Sequence, residues 1–291
     1  MTIADDDIEV LAAVFKKAIG GRMYQYQSDL LLNKNQLVLV NKSRRTGIST
    51  VLGYRGLLTA LHGGVALLVS PSLRQSTLLM SDYVERFMNA VPPDQLPTLT
   101  EDSKSVKMFK GGGAVYSLPN QSHTIRGFTP DFIGLDEAAH FLNNTDKEVY
   151  AAVLPMLALG GTMWLVSTPF GDKGVFADVW RDVKSGFQKV IINWRERPDL
   201  AANVPNLQKE YDEVSFAQEF NNEFRGEVTS EFPMSLTTKC VDPELSYEVN
   251  AQGDVAGFDI GRRVDLSAGV VLRADADVLR LVEKFVWRSM P

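Results

Sequence analysis

The sequence predicts an α/β fold whose sheet is mainly parallel, because short apolar strands alternate along the chain with helical segments. Residues 37–40 and 65–69 are continuous apolar runs, and segments with helical spacing, 49–61 and 71–88, follow them. Continuously apolar strands are typical of parallel sheets that helices cover on both faces. We therefore expect a central sheet with flanking helices.

The same alternation continues along the chain. Further apolar strands are predicted at 132–135, 162–166 and 190–192. Helices are predicted at 7–19 and 146–159, where apolar residues recur at helical spacing. A further helix is predicted at 215–224. The segments 106–109 and 114–118 flank a triple-glycine turn, which indicates a hairpin added to the sheet.

The composition is that of an ordinary globular protein and excludes several classes. The single cysteine, Cys240, rules out an internal disulfide, as is usual in a reducing compartment. Residues 1–20 lack the basic start and apolar core of a secretory signal. The longest uncharged run, 151–171, is interrupted by Pro155 and a Gly-Gly pair, so no membrane span is predicted. The net charge of −6 neither supports nor excludes nucleic acid, because local basic patches supply phosphate contacts.

The domain organisation changes near residue 193. We predict one domain over 1–192 and a linker subdomain, rich in proline and charge, over 193–250. A new β pattern begins near 255 with three apolar segments, 256–260, 267–272 and 278–287. We predict the start of a second domain over 251–291. Fewer than about 40 residues are too few to build an independent core, so the second domain is expected to be cut short.

The segment between the first predicted strand and the next helix has the position of a phosphate-binding loop. It consists of Lys42, Ser43, Arg44, Arg45, Thr46, Gly47, Ile48, Ser49 and Thr50. Backbone N–H groups and a helix N-terminus there would face the phosphates of ATP, and the Ser49 hydroxyl would face Mg²⁺.

The loop departs from the usual pattern G-x-x-x-x-G-K-[ST]. Lys42 stands at the first glycine position and Ile48 at the lysine position. Lys42, Arg44 or Arg45 can supply the missing cation, and we count Arg45 among the predicted catalytic residues. The alternative is a basic surface turn with no ligand.

Asp136 and Glu137 end the predicted strand at 132–135. An ATPase needs one acid to hold Mg²⁺ and a second to orient or deprotonate the attacking water. We assign Asp136 to the metal and Glu137 to the water. The alternative is that Asp136 caps the helix that follows.

Four further side chains are candidates for supporting roles. Gln27 can hydrogen-bond the adenine edge, and the small hydroxyls of Ser167 and Thr168 can sense the γ-phosphate. Arg126 can stabilise transition-state charge or contact DNA. For each, an ordinary structural or surface role is the alternative. His140, close after the acidic pair, is interpreted as structural.

The order of these blocks resembles phage terminase large subunits. The blocks are Tyr26-Gln27, Lys42 to Ser49, Ile125-Arg126-Gly127, Leu135-Asp136-Glu137-Ala138 and Ser167-Thr168-Pro169. The family often carries a phosphate loop whose basic residue comes early and whose residue before the Ser or Thr is not lysine. The resemblance implies a P-loop NTPase fold of the RecA-like, ASCE type, and Phe216 to Phe224 is similar to the segment that links the family's two domains.

A last block, Gly257 to Gly261 with Asp265 after it, resembles the opening strand of the family's RNase H-like nuclease. Such nucleases gather acids around two metal ions, and the resemblance implies that Asp259 and Asp265 are metal ligands. The other ligands are expected beyond Pro291, so DNA cleavage is expected only of a longer form.

The resemblance implies an ATP-driven motor that moves double-stranded DNA into a procapsid. The implied partners are a small terminase subunit, a portal protein and further copies in a homo-oligomeric ring, with no membrane. The implied location is the cytoplasm of an infected or lysogenic bacterium. Two alternatives stay open: a helicase-like nucleic-acid ATPase, and a truncated, non-hydrolysing relic that binds DNA or a partner.

Overall fold

A computed structural model of the chain describes residues 7–141, 145–225, 255–259, 266–275 and 278–288. The chain divides into two compact units, Met1–Glu231 and Phe232–Pro291. The three-part division at residues 192 and 250 remains a prediction.

The first unit contains ten α-helices and eight strands among its described residues. The α-helices are α1 (Ile8–Ile19), α2 (Gln25–Leu31), α3 (Ile48–Leu61), α4 (Leu73–Leu78), α5 (Glu85–Met88), α6 (Ser122–Ile125), α7 (Thr145–Val153), α8 (Val175–Arg181), α9 (Pro198–Leu207) and α10 (Glu213–Glu219). The strands are β1 (Leu37–Lys42), β2 (Val65–Ser70), β3 (Leu99–Asp102), β4 (Val106–Phe109), β5 (Ala114–Pro119), β6 (Phe132–Asp136), β7 (Thr162–Ser167) and β8 (Gln188–Ile192). No helix in the described ranges is long and apolar enough to cross a bilayer.

The eight strands form one sheet in the order β3-β4-β5-β2-β6-β7-β1-β8. The six strands from β5 to β8 in this order are parallel, while β3 and β4 are antiparallel additions at one edge. The predicted fold class, a mainly parallel sheet with flanking helices, is confirmed. The predicted hairpin is formed by β4 and β5, and β3 is an added strand that the sequence did not reveal.

Apolar cores cover both faces of the sheet, which explains why its strands are continuously apolar. Val38 and Val40 of β1 face the core that α3 completes, whereas Leu39 faces the core that contains residues of α7 and α8. The α3 helix approaches β6 so closely that a Cβ on Gly134 would lie 2.7 Å from the Leu52 side chain. The first turn of α3 is therefore held firmly against the sheet.

Three predicted helices differ in detail. The helix predicted at 71–88 contains a π-helical turn, Leu79–Val84, between α4 and α5. The helix predicted at 146–159 becomes a 3₁₀ helix at Leu154–Leu159, because Pro155 has no N–H to continue the α-helical ladder. The helix predicted at 215–224 ends at Glu219.

The second unit contains a three-stranded antiparallel sheet among its described residues. Its strands are β9 (Val255–Asp259), β10 (Leu266–Asp275) and β11 (Val278–Arg288), in the order β11-β10-β9. The three apolar segments predicted in this part of the chain are therefore strands. That they open an RNase H-like nuclease remains a prediction.

The functional edge of the large sheet follows from the parallel register. Because β1, β2, β6 and β7 run in one direction, their last residues meet at one edge. Those residues are Lys42, Ser70, Asp136 and Ser167. The parallel topology thus brings together the predicted cation Lys42, the predicted acid Asp136 and the predicted hydroxyl of Ser167.

Candidate active site

The loop from β1 to α3 makes a left-handed turn. Arg45 has a φ of 65° and Gly47 a φ of 78°, in the region that favours glycine. A Cβ on Gly47 would also lie 2.9 Å from Gln27 Nε2, so glycine is required for space as well. The first turn of α3 leaves N–H groups without helical partners, and such a group of donors suits a phosphate.

Two side chains of α2 hold the carbonyl groups of this loop. Tyr26 Oη donates to Thr46 O at 2.8 Å, and Gln27 Nε2 donates to Gly47 O at 3.4 Å. Gln27 Oε1 accepts from the Tyr24 N–H at 2.9 Å, and Gln27 is only 3% exposed. This differs from the predicted contact of Gln27 with adenine. Both ends of its amide are bonded to protein, so Gln27 supports the loop.

A third loop carbonyl is held by Arg197, which immediately precedes α9. Its Nη1 donates to Arg45 O at 2.8 Å, and its Nε and Nη2 donate to Asp199 at 2.8 and 2.7 Å. The guanidinium also lies 5.6 Å from the centre of the Tyr24 ring. The hydrogen bonds from Arg197 hold the pKa of Asp199 at about 2. A bidentate, stacked guanidinium has little freedom, so it fixes the loop from the side of the predicted linker.

Ser43 is fully buried and bonded to protein. Its N–H donates to Ile192 O at 2.8 Å, and its Oγ accepts from the Trp194 N–H at 3.0 Å. The hydroxyl proton is directed to Phe220 O and Asn222 Oδ1. The donors of Ser43 thus support the loop from within the protein, and its predicted contact with the nucleotide stays a prediction.

Asn222 is the hub of this support. It has a φ of 63°, and its Nδ2 donates to Asn41 O at 3.1 Å and to Ile192 O at 3.3 Å. Its Oδ1 accepts from Asn193 Nδ2 at 2.9 Å. Buried amides bonded in this way fix one geometry. The segment after α10 is thereby tied to the ends of β1 and β8.

The three candidate cations of the loop point in different directions. Arg44 pairs with Glu219 at 2.7 Å and is more than half exposed, and Arg45 is exposed. The Lys42 side chain is only 5% exposed, and its Nζ lies 2.7 Å from Glu137 Oε1. Of the three, Lys42 is the one that reaches the acidic pair.

Asp136 lies at the end of β6, opposite the first turn of α3. Ser49 Oγ donates to Asp136 Oδ1 at 3.0 Å. Burial, followed by the neighbouring Glu137 charge, raises the pKa of Asp136 to about 7 against the opposing effects of Lys42 and the Ser49 hydrogen bond. A carboxylate in this environment favours a cation beside it. The structure thus places Ser49 and Asp136 side by side, and their role as a metal pair stays a prediction.

Glu137 is held between the loop and the end of β7. It has a left-handed backbone, with a φ of 51°, which is uncommon for a residue with a long side chain. Its Oε1 faces Lys42, while its Oε2 accepts from Ser167 Oγ at 3.3 Å and from the Thr168 N–H at 3.4 Å. Burial would raise the pKa of Glu137, but the charge and hydrogen bond of Lys42, helped by the Thr168 N–H, hold it below its ordinary value. Glu137 is therefore a carboxylate at neutral pH.

His140 belongs to the same cluster. It lies in the 3₁₀ turn Ala138–His140, with its Nδ1 3.4 Å from Ser167 Oγ and 3.7 Å from Glu137 Oε2. Its ring packs 4.8 Å from the ring of Phe170. The interpretation of His140 as a purely structural residue did not anticipate this contact.

The other predicted residues lie apart or are not described. Ile48 is buried in the core, and Thr50 is half-buried in the first turn of α3. Arg126 is exposed in a cleft of about 320 Å³, and among the described residues no hydrogen bond or ion pair joins it to the acidic pair. Asp259 is the last residue of β9, and Asp265 lies outside the described residues.

The donor set suits Mg²⁺ bound together with a nucleotide. Mg²⁺ prefers oxygen ligands and is usually held by one or two protein groups plus phosphates and water. Ser49 Oγ and Asp136 Oδ1, 3.0 Å apart, supply two such oxygens. Within the described ranges, no group of three or more His, Cys, Asp or Glu side chains forms a site for a metal alone.

Comparison with known proteins adds the fold family. Comparison of the sequence with protein-family models and with curated proteins finds no match. Solved structures do match: the large terminase ATPase domain of Thermus phage P74-26 aligns at a TM-score of 0.58 and 18% identity, covering 72% of this chain and 97% of that one.

Two longer terminases align as well. The large terminase of bacteriophage HK97 aligns at a TM-score of 0.59 and 17% identity, over 92% of this chain and 64% of that one. The large terminase of the thermophilic bacteriophage D6E, solved in complex with ADP, aligns at 0.52 and 14%, over 94% and 67%. The chain thus spans 64% of the length of the HK97 protein. Its fold is that of phage large terminases, and its mainly parallel sheet matches their ATPase domain.

Proposed function

We propose that this chain is the ATP-hydrolysing motor part of a phage terminase large subunit. The observation that carries the proposal is one constellation at one sheet edge: Ser49 bonded to Asp136 at 3.0 Å, and Lys42 paired with Glu137 at 2.7 Å. The fold shared with terminases supports this reading, as does the ADP bound by the D6E protein.

ATP binds with its phosphates over the left-handed loop and the first turn of α3. Lys42 binds the β- and γ-phosphates, because it is the loop cation that points toward the acids. Ser49 and Asp136 would hold Mg²⁺, and the ion would supply positive charge that neutralises the phosphates in the transition state. Arg45, exposed beside the loop, is a second cation within reach of the phosphates.

Glu137 orients and deprotonates the attacking water. The water oxygen bonds to the γ-phosphorus, the bond to the bridging oxygen of ADP breaks, and the water proton passes to the carboxylate. The Ser167 hydroxyl and the Thr168 N–H touch the same carboxylate, so loss of the γ-phosphate is transmitted to the end of β7. Arg126 either stabilises transition-state charge or contacts DNA.

The biological setting is proposed from the terminase likeness alone. The motor moves double-stranded DNA into a procapsid as a ring of copies on a portal protein, and a small terminase subunit recruits it. Asp259 and Asp265 are metal ligands of an RNase H-like nuclease. The site of action is the host cytoplasm.

The decisive experiment measures Mg²⁺-dependent ATP hydrolysis by the purified chain, with and without double-stranded DNA. The Glu137→Gln variant, which keeps the size of the side chain, is measured beside it. We expect turnover that DNA stimulates and that Glu137→Gln abolishes. Failure to bind ATP would overturn the proposal and leave the non-hydrolysing relic. Turnover that survives in Glu137→Gln would remove Glu137 from the mechanism.

A further inference from the structure

His140 takes part in a hydrogen-bond cluster around one oxygen of Glu137. Its Nδ1 is 3.4 Å from Ser167 Oγ and 3.7 Å from Glu137 Oε2. Ser167 Oγ is in turn 3.3 Å from the same carboxylate oxygen. The imidazole therefore lies beside the proposed base and is linked to it by hydrogen bonds through Ser167.

The Ser167 hydroxyl has a choice of acceptors. It accepts from the Ala139 N–H at 3.2 Å, and its single proton can go to Glu137 Oε2 or to His140 Nδ1. A neutral imidazole can accept or donate at Nδ1, depending on its tautomer. A donating Nδ1 turns the serine proton toward Glu137, whereas an accepting Nδ1 draws it away. His140 thus determines how firmly Glu137 Oε2 is held.

The environment keeps the imidazole neutral. Burial lowers the pKa of His140, and its charged neighbours are of both signs: the carboxylates Glu137 and Glu219 and the cations Lys42 and Arg44. Packing against Phe170 at 4.8 Å fixes the plane of the ring. The orientation of Nδ1 is thereby set by the loop that follows β7.

This contact matters most when nucleotide is bound. The proposed function moves Lys42 from Glu137 Oε1 to the phosphates, so one oxygen of the carboxylate loses its partner. The contacts that remain to Glu137 are those of Oε2 with Ser167, the Thr168 N–H and His140. The position of the base toward the attacking water then depends on this side of the cluster.

We propose that His140 is a positioning residue, which holds the Glu137 carboxylate through Ser167 in the nucleotide-bound state. This inference rests on the proposed function and assigns a further residue to the same site. The imidazole lies between the base and the loop at Phe170, and His140 itself does not bind the phosphates.

The test compares three substitutions that differ in where they place a polar atom. In His140→Asn the side-chain amide occupies the position of Nδ1, in His140→Gln it occupies that of Nε2, and His140→Phe keeps only the packing. We expect kcat to fall about 10- to 100-fold in the Gln and Phe variants with KM for ATP little changed, as for a misplaced catalytic group. His140→Asn should stay within about 3-fold of the wild-type kcat, and so should His123→Gln at an exposed histidine.

Equal losses in His140→Asn and His140→Gln, or a kcat unchanged in all three, would overturn the inference. Thermal unfolding supplies a readout that needs no turnover. His140→Gln should lower Tm in the wild-type background and less in a Ser167→Ala background, because contacting residues are not additive. Additive losses would contradict the inference. A wild-type chain that binds no ATP would instead refute the proposed function, and the double-mutant comparison would still decide on the contact.

Discussion

The Lys42–Glu137 ion pair joins the proposed phosphate cation to the proposed catalytic base, so the two roles compete. Lys42 Nζ lies 2.7 Å from Glu137 Oε1, and the lysine side chain is buried. ATP must draw this ammonium away from the carboxylate before its phosphates are fully bound. We therefore predict that Glu137→Gln binds nucleotide more tightly than the wild type, although it does not hydrolyse it.

The magnitude follows from the energy of the contact. A hydrogen bond to a charged group contributes about 1.5–3 kcal/mol, and a change of about 1.4 kcal/mol alters affinity tenfold. Glutamine still accepts a hydrogen bond from Lys42, so part of the contact energy remains. We expect the dissociation constant to fall about tenfold. Loss of the negative charge near the phosphates acts in the same direction.

Isothermal titration with a non-hydrolysable ATP analogue and Mg²⁺ measures this affinity. Glu219→Gln is the matched control, because Glu219 pairs with Arg44 at the same distance of 2.7 Å. Its effect should be small if Arg44 does not bind phosphate. An unchanged or weaker affinity in Glu137→Gln would refute the competition. Tighter binding in Glu219→Gln alone would assign the phosphate cation to Arg44.

Three further predictions concern the support of the site. Asn222→Gly keeps the left-handed backbone but leaves several buried partners unbonded, so it should cost about 3 kcal/mol and lower Tm by about 6–12 °C. Asn221→Ala, next to it, removes a buried Oδ1 that has no hydrogen-bond partner among the described residues, so its effect on stability should be much smaller. Gly47→Ala should weaken the binding of an ATP analogue in a titration. Gly63→Ala is the control, because Gly63 is also left-handed but has open space around it. Its strain should lower the free energy of unfolding in urea by about 1–2 kcal/mol without a loss of affinity. In metal-free buffer, burial raises the pKa of Asp136 to about 7. The protonated carboxyl therefore contributes to the free energy of unfolding in full below about pH 4, and this contribution is lost as the pH rises toward 7. Urea unfolding across that range should show the loss in the wild type and not in Asp136→Asn.

The positions of the parallel strands along the chain, the loop between β1 and α3, and the acidic pair at a strand end were predictable because their signals are local. A buried parallel strand is a short apolar run, and the residues at its carboxyl end stand next to it in the sequence. Asp136 at the end of β6 and Ser167 at the end of β7 could be identified without long-range information. The sheet then brings such ends together, as it does for Ser49 and Asp136.

The support of the loop was not predictable from local pattern. The bond from Arg197 to Arg45 O joins residues 152 apart, and that from Asn41 to Asn222 joins residues 181 apart. An arginine before a proline and an asparagine after a helix carry no sequence signal for such partners. For the same reason Gln27 was assigned to adenine, since the sequence does not show that its amide is already bonded.

The unusual sequence of the loop has a structural explanation. The position that usually carries lysine is Ile48, which is 1% exposed and belongs to the core beneath α3. An apolar residue there anchors the first helical turn, and the cation comes from Lys42 at the end of the strand. A lysine that starts from the strand can reach either the acids or the phosphates. The departure from the usual pattern therefore creates the Lys42–Glu137 pair, and under the proposed function the base would be released only when nucleotide takes its partner.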